Sequence, residues 1–348
     1  MTAFPSVLVV RLSALGDVLF ALPAVQALVA SGLAGRLAWV VEPGAAALLE
    51  GLDGLDEIIR FPRRDHLAVP GHLLRLRRRR DDLVLDLQGN LKSRMHLMAL
   101  RAPRKLGFDA PLAREGAEKG LTERFLPPGY VKHRVAANVA LVESLGVEVP
   151  RPIPRPVLRL GAGPGASADA TDAAGGDVGG RDGGRPRVVL HPGTSTFGQL
   201  KRWAPERFAA LGDALAREHG AELLVTGGPG EEQLVAAVRG ALHAPSSAPA
   251  TGGLDGLARL LRGADLVVAA DSLPLHLANA LGTPVVGLYG PKDPRVTGPF
   301  FDRARVVRAD VQCSPCTLRR CRDRVCMEQL AVETARAACA ELLEGAPC

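Results

Sequence analysis

Short apolar runs recur along this chain, and each ends in a loop of Gly, Ser, Thr or Asp before a helical stretch begins. The first is Val7-Leu-Val-Val-Arg11, apolar on successive residues rather than on alternate ones. A strand apolar on both faces belongs to a parallel sheet that helices cover on both sides. The loop Leu12-Ser-Ala-Leu-Gly-Asp17 follows, then a helical pattern from about Val18 to Val29. Leu37–Val41, Glu57–Phe61 and Leu83–Asp86 read as further strands, with helical stretches at Ala45–Gly51 and Leu91–Leu100. Strands that alternate with helices imply βαβ units and an α/β fold with a parallel sheet.

The alternation breaks at residues 161–184, where nine of 24 residues are Gly. Such a stretch has too little apolar surface to pack and reads as a flexible linker between two domains, 1–160 and 185–329. A length of 348 residues fits two domains. The second half repeats the pattern: strands at Arg187–His191, Glu222–Thr226, Ala264–Ala270 and Pro284–Tyr289, with helices between them. A final helix is expected from about Met327 to Leu343.

With 47% hydrophobic and 23% charged residues, the chain can bury cores, which excludes wholesale disorder. No uncharged apolar run reaches the ~18 residues a membrane-spanning helix needs. Arg11 and Asp17 interrupt the apolar start, and no basic segment with a small-residue cleavage site precedes it, so a cytoplasmic protein without a leader is expected. A net charge of +6 permits an anionic ligand without identifying one.

Ligands of open parallel sheets bind beyond the carboxyl ends of the strands. There the first half places Ser13-Ala-Leu-Gly-Asp17, with Asp17 at a helix start, a position that suits both a capping residue and a functional carboxylate. The second half offers the hydroxyls of Thr194, Ser195 and Thr196, followed by Lys201. It also offers Asp271-Ser272-Leu273, where Pro274 suits a helix's first turn and Gly282 its end. Backbone N–H groups of Ser272 and Leu273 at a positive helix end, with Lys201 as a point charge, suit a phosphate or diphosphate. His276 lies one turn further on. No Walker loop is present and no Gly-x-Gly-x-x-Gly follows the first strand, against P-loop hydrolases and ordinary nicotinamide enzymes.

Residues 60–80 hold eight arginines, and Lys92 and Arg94 extend the bias. This is a candidate surface for phosphates on a lipid, a sugar or a nucleic acid, or simply a solvated face. Few aromatics interleave, so stacking platforms for single strands are poorly supported. Cys313-x2-Cys316-x4-Cys321-x4-Cys326 is the one thiol cluster; it lacks a second C-x2-C, and reduced surface cysteines rather than a metal site are expected.

As an ordered set, five segments resemble bacterial lipopolysaccharide heptosyltransferases of glycosyltransferase family 9. They are Val7–Val18 with Leu22-Pro23; Asp86-Leu-Gln-Gly-Asn-Leu-Lys-Ser93; His191-Pro-Gly-Thr-Ser195 with Lys201-Arg-Trp203; Asp271-Ser272 with His276-Leu-Ala-Asn-Ala-Leu-Gly282; and Gly290-Pro-Lys-Asp-Pro294. Leu106-Gly-Phe-Asp109, Arg114-Glu115 and His133 look closest to heptosyltransferase I. The resemblance implies a GT-B fold, two Rossmann-like domains facing a cleft. Residues 1–160 would bind the acceptor and 185–329 the nucleotide-sugar donor, with the C-terminal helix, about 330–348, packing back on the first domain. It implies transfer of heptose from ADP-heptose to a Kdo–lipid A acceptor with inversion, no cofactor and no metal, and peripheral contact with the inner membrane surface. Asp17 matches the catalytic base. Thr194, Ser195, Lys201, Asp271, Ser272, Leu273 and His276 match the donor site, and Glu231 or its neighbour Glu232 would reach the adenosine ribose. Arg63, Arg64 and Lys92 are candidates for the acceptor's phosphates and carboxylate. The family often has Gly where Leu273 stands. The alternatives are a family 9 enzyme for other sugars and, from a different class, a basic nucleic-acid-binding protein, although no nucleic acid is expected as partner.

Overall fold

The computed structural model describes residues 4–130, 132–160, 184–316, 318 and 320–345. The chain divides into two compact units, Met1–Arg159 and Leu160–Cys348. The Gly-rich stretch expected as a linker lies outside the described residues, apart from Gly184.

The first unit runs β1 (Phe4–Val10), α1 (Leu15–Ala30), β2 (Ala34–Val41), α2 (Pro43–Ala46), β3 (Glu57–Arg60), α3 (Ala68–Arg78), β4 (Leu83–Asp86), α4 (Leu91–Ala99), β5 (Arg104–Phe108), β6 (Glu123–Phe125) and α5 (Arg134–Glu143). The second runs β7 (Arg187–His191), α6 (Pro205–His219), β8 (Glu222–Val225), α7 (Glu232–Ala241), β9 (Ser246–Ser247), α8 (Leu254–Arg262), β10 (Leu266–Ala270), α9 (Leu273–Ala280), β11 (Val285–Tyr289), α10 (Pro294–Thr297), β12 (Ala304–Arg308), α11 (Val325–Glu328) and α12 (Val332–Glu344). Each unit has one parallel six-stranded sheet, in the orders β3-β2-β1-β4-β5-β6 and β12-β11-β10-β7-β8-β9. Counted from each unit's own first strand, the two orders are the same doubly wound, Rossmann-like topology. In both, the strand order reverses between the first and fourth strands, which is where such sheets bind ligands.

One device sets the register of that central pair twice. Asp82, just before β4, accepts from Ser6 N at 2.8 Å and returns its own N–H to Ser6 O at 3.0 Å. Asp265, just before β10, accepts from Arg187 N at 2.8 Å and donates to Arg187 O at 2.9 Å. The carboxylate caps the end of a ladder whose first N–H would otherwise lack a partner.

Val7–Val10 are buried on both faces, as are the residues of β10 and β11. Each such side chain contributes roughly 1.5–3 kcal/mol by leaving water. Helix ends follow local chemistry. Asn90 caps α4 by accepting from Lys92 N at 3.1 Å, and α6 ends at Gly220, whose φ of 65° suits a residue without Cβ.

The structure departs from the sequence reading at several elements. The helix expected at Ala45–Gly51 is the short α2, followed by turns. The arginine run contains α3, whose His72 and Leu76 are buried while Arg75, Arg77 and Arg78 are exposed. The C-terminal helical stretch is broken into α11 and α12. Ala335, Cys339 and Leu342 pack into the second unit's core with Phe208 and Leu215. Trp203 Nε1 and Arg207 both donate to Leu330 O, at 3.1 and 2.7 Å, which fixes the turn before α12 against α6.

Candidate active-site clusters

In the first unit the polar groups gather beyond the carboxyl ends of β1, β2 and β4. Asp17 sits in the first turn of α1, where its Oδ2 accepts from Ala14 N at 3.3 Å. Its Oδ1 takes two guanidiniums, Arg11 at 2.9 Å and Arg134 at 2.7 Å. Arg11 is buried and also donates to Leu87 O; burial pulls it below its ordinary value, and the Asp17 charge opposes that. Arg134 is one-third exposed. Gln88 ties the β1 and β4 loops together, its Oε1 accepting from Leu12 N at 3.0 Å and Ser13 N at 3.3 Å. Asp86 accepts from Gln88 N, Gly89 N and Ser93 Oγ, while burial pushes its carboxyl up.

Glu42, just after β2, is the second hub. It accepts from Ser13 Oγ at 3.1 Å, Lys92 Nζ at 3.1 Å and Arg63 at 3.3 Å. The structure thus brings Arg63 and Lys92 to one carboxylate, next to the loop that carries Asp17. Arg64, next in the chain, is exposed.

In the second unit the polar groups gather beyond the carboxyl ends of β7 and β10, which are paired at Ala269 and His191. Asp271 is buried, with Lys201 Nζ 3.0 Å from Oδ2 and His276 Nε2 3.1 Å from Oδ1. Lys201 also donates to the Asp271 carbonyl. The Tyr289 hydroxyl donates to Thr297 O at 2.7 Å and lies 3.4 Å from Asp271 Oδ1. Burial alone would raise the Asp271 carboxyl; the His276 hydrogen bond and the Lys201 charge outweigh it and hold the group well below the usual carboxylate range. Ser272 is the N-cap of α9, and its buried Oγ has no hydrogen-bond partner among the described residues. Leu273 is the first residue of that helix and is half-buried.

Glu231 joins the loops after β7 and β8. Its Oε1 accepts from Thr194 N at 2.8 Å and Arg202 at 2.7 Å, and its Oε2 accepts from Gly228 N at 2.8 Å. Arg202 also donates to the Thr194 hydroxyl and carbonyl. A Cβ at Gly193 would lie 1.9 Å from Glu231 Oε2, so only glycine leaves room for this carboxylate. His191 lies 2.9 Å from Thr226 Oγ1 and 3.9 Å from Glu231; burial lowers its pKa to about 4 and keeps it neutral. Ser195 is exposed at the start of the turn that ends at Lys201.

The donor-site residues named from the sequence therefore fall into two adjoining groups, Lys201, Asp271, Ser272, Leu273 and His276, and Thr194 with Glu231. Arg11, Arg134, Glu42 and Arg202 were not anticipated. Arg11 did leave a signal, a charge at the end of an apolar strand; the others left none. Among the described residues, no three His, Cys, Asp or Glu side chains are arranged to hold a metal ion, and no helix is long and apolar enough to cross a membrane.

Residues 72–326 match the family model for glycosyltransferase family 9 (heptosyltransferase). The chain belongs to that family. As a family 9 glycosyltransferase it is similar to the lipopolysaccharide core heptosyltransferase OpsX of Haemophilus influenzae, 26% identical over 87% of this chain and 84% of that protein. It is also similar to lipopolysaccharide heptosyltransferase 1 of Pseudomonas aeruginosa, 27% identical over 90% of this chain and 87% of that one. Among solved structures it is similar to the Escherichia coli heptosyltransferase WaaC with ADP, with a TM-score of 0.73, 24% identity, and coverage of 97% of this chain and 99% of that one. The fold class of this family 9 enzyme is GT-B, two Rossmann-like units in one chain.

Proposed function

We propose that this glycosyltransferase is an inverting heptosyltransferase of lipopolysaccharide inner-core assembly. It moves L-glycero-D-manno-heptose from ADP-heptose to a Kdo–lipid A acceptor, and its subtype is heptosyltransferase I. It works at the cytoplasmic face of the inner membrane, where a lipid acceptor is met. Relatives named for lipopolysaccharide heptose transfer over most of their length support the reading, as does a structural neighbour solved with ADP.

The observation that carries it is the cluster at the start of α9. Lys201 and His276 converge on Asp271 beside the buried, unsatisfied hydroxyl of Ser272. A diphosphate at this helix start would take the N–H groups of Ser272 and Leu273, the Ser272 hydroxyl and the Lys201 charge. Thr194 and Ser195 would add donors from the facing loop, and Glu231 would accept from the adenosine ribose. In the first unit Asp17 is the general base. The acceptor hydroxyl attacks the donor's anomeric carbon and passes its proton to Asp17. The bond from that carbon to the diphosphate oxygen breaks, and ADP leaves with the electron pair from the face opposite the attack. Arg11 and Arg134 orient Asp17 through one oxygen. Arg63, Arg64 and Lys92 would hold the acceptor's phosphates and the Kdo carboxylate.

Calorimetry with ADP, UDP, GDP and NAD, with and without magnesium, tests the donor side. Selective, metal-independent ADP binding is expected; preference for UDP or GDP refutes the ADP-heptose assignment. Asp17→Ala should cut transfer by about 10²–10⁴-fold with ADP affinity kept. Loss of ADP binding in a folded variant removes Asp17 from the base role.

A further inference from the structure

Helices α3 and α4 follow β3 and precede β5 on either side of β4, so both run opposite to their strands and lie parallel to each other. An aromatic contact joins them from beneath: the His72 and His96 rings are 5.3 Å apart, and both meet Phe61, at 5.2 and 4.6 Å. Their outer surface is unusual in composition. Leu67, just before α3, is 94% exposed and Leu74 is 50% exposed; Leu91 and Met98 of α4 are 57% and 71% exposed. Seven residues are two helical turns, so each pair lies along one face of its helix. A single exposed leucine needs no explanation, but four large apolar side chains on two neighbouring helices do.

The two helices carry charges of one sign, although beside them Asp65 accepts from Leu67 N and Ala68 N at 3.1 Å and Glu115 accepts from Leu91 N at 3.0 Å. Neither α3 nor α4 contains an Asp or Glu. Arg75, Arg77, Arg78, Arg94 and, just past α4, Arg101 form no ion pair among the described residues. The surface adjoins the candidate acceptor residues, since Lys92 is in the first turn of α4 and Arg63 and Arg64 lead into α3.

We propose that this α3–α4 face docks the protein on an anionic phospholipid membrane. Leu67, Leu74, Leu91 and Met98 enter the boundary between headgroups and acyl chains, and the arginines meet the lipid phosphates. Apolar side chains scattered among unpaired arginines suit that boundary, which offers both an apolar layer and anions; a protein partner's dry patch offers only the first. The inference rests on the reading that the acceptor is a lipid: a protein held this way meets its acceptor by diffusion in two dimensions, beside Arg63 and Lys92.

The test is flotation of the full chain with vesicles of phosphatidylethanolamine and phosphatidylglycerol, against phosphatidylcholine alone. Binding to the anionic vesicles only, weakened at about 0.5 M salt, is expected. The variants L74Q/M98Q and R75Q/R77Q/R78Q should each bind at least about tenfold less. Both should keep wild-type ADP affinity and an unchanged rate on an acceptor stripped of its acyl chains, which excludes misfolding. Binding equal on both vesicle types, or undiminished in both variants, overturns the proposal. If the variants lose vesicles but no chain transfers heptose to any acceptor, the docking face stands and the heptosyltransferase reading fails.

Discussion

Replacing Glu231 tests whether the second unit's loops are held as the geometry states. In Glu231→Ala, Thr194 N–H loses its acceptor in a buried place, at a cost of about 1–3 kcal/mol, and Gly228 N–H loses one in a half-buried place, at a smaller cost. Arg202 is about one-quarter exposed and can turn to water, and the unfolding equilibrium regains the desolvation of one carboxylate. A net loss of about 2–4 kcal/mol is expected. For a unit of roughly 190 residues that is a fall in Tm of about 5–15 °C. Glu231→Gln should lose about half as much, because its amide can accept from Thr194 N but turns a donor toward Gly228 N.

Gly193 supplies the control. Its missing Cβ would stand 1.9 Å from Glu231 Oε2, so Gly193→Ala must expel the carboxylate and should cost nearly as much as Glu231→Ala. With the carboxylate already gone the methyl has room, and Gly193→Ala should then add less than about 0.5 kcal/mol. The assay is thermal and urea unfolding followed by tryptophan fluorescence, since Trp203 is buried in this unit and Trp39 in the other. Additive costs in the double variant would refute the argument, because they would mean that Gly193 and Glu231 do not compete for one space.

Two further outcomes follow from the same structure. Arg11→Met should cost about 2–4 kcal/mol in urea unfolding, because Asp17 and the Leu87 carbonyl lose a buried cation, whereas Arg134→Ala, at a half-open pair, should cost under about 1 kcal/mol while still lowering transfer; equal stability costs would contradict the difference in burial. Burial holds His191 and His72 down to about 4, below the ordinary 6.5, so the unfolded chain binds more protons between those values and stability is lost as pH falls through that window. By pH 5 the loss should be about 2 kcal/mol for each, read as a falling urea midpoint from pH 7.5 to 5; a midpoint that rises on acidification would refute the linkage.

The inner strands were legible because burial on both faces writes an unbroken apolar run: β1, β4, β7, β10 and β11 are of this kind. Edge strands carry no such signature. β6 is Glu123-Arg-Phe125 and β12 is Ala304-Arg-Val-Val-Arg308, each at the edge of its sheet and partly wet, and neither was anticipated; nor was β5, Arg104-Lys-Leu-Gly-Phe108, one strand in from the edge and half-buried at its start. The repeated Asp-Leu-Val at 82–84 and 265–267 did mark the two central strands that the sheet orders now equate. At the sites, residues on strand-end loops were readable because the loop chemistry is local. Their partners were not: Arg134 is 117 residues from Asp17, and Arg202 is 29 from Glu231. Only the folded topology gives those distances a meaning.

Those partners also show how the two units differ in charge. In the first, two carboxylates take two cations each: Arg11 and Arg134 share Asp17, and Arg63 and Lys92 share Glu42, while the third carboxyl group, the buried Asp86 near Arg11, is pushed up by burial. An anion can be taken there without expelling either carboxylate, because each pair of cations keeps a surplus charge. In the second unit the pairing is one to one, Lys201 with Asp271 and Arg202 with Glu231. A diphosphate there gains little from net charge and depends on oriented N–H groups and hydroxyls, among which the unsatisfied Ser272 Oγ stands ready. Under the proposed function, the first arrangement suits an acceptor with several negative groups in variable positions, and the second suits one diphosphate of fixed shape.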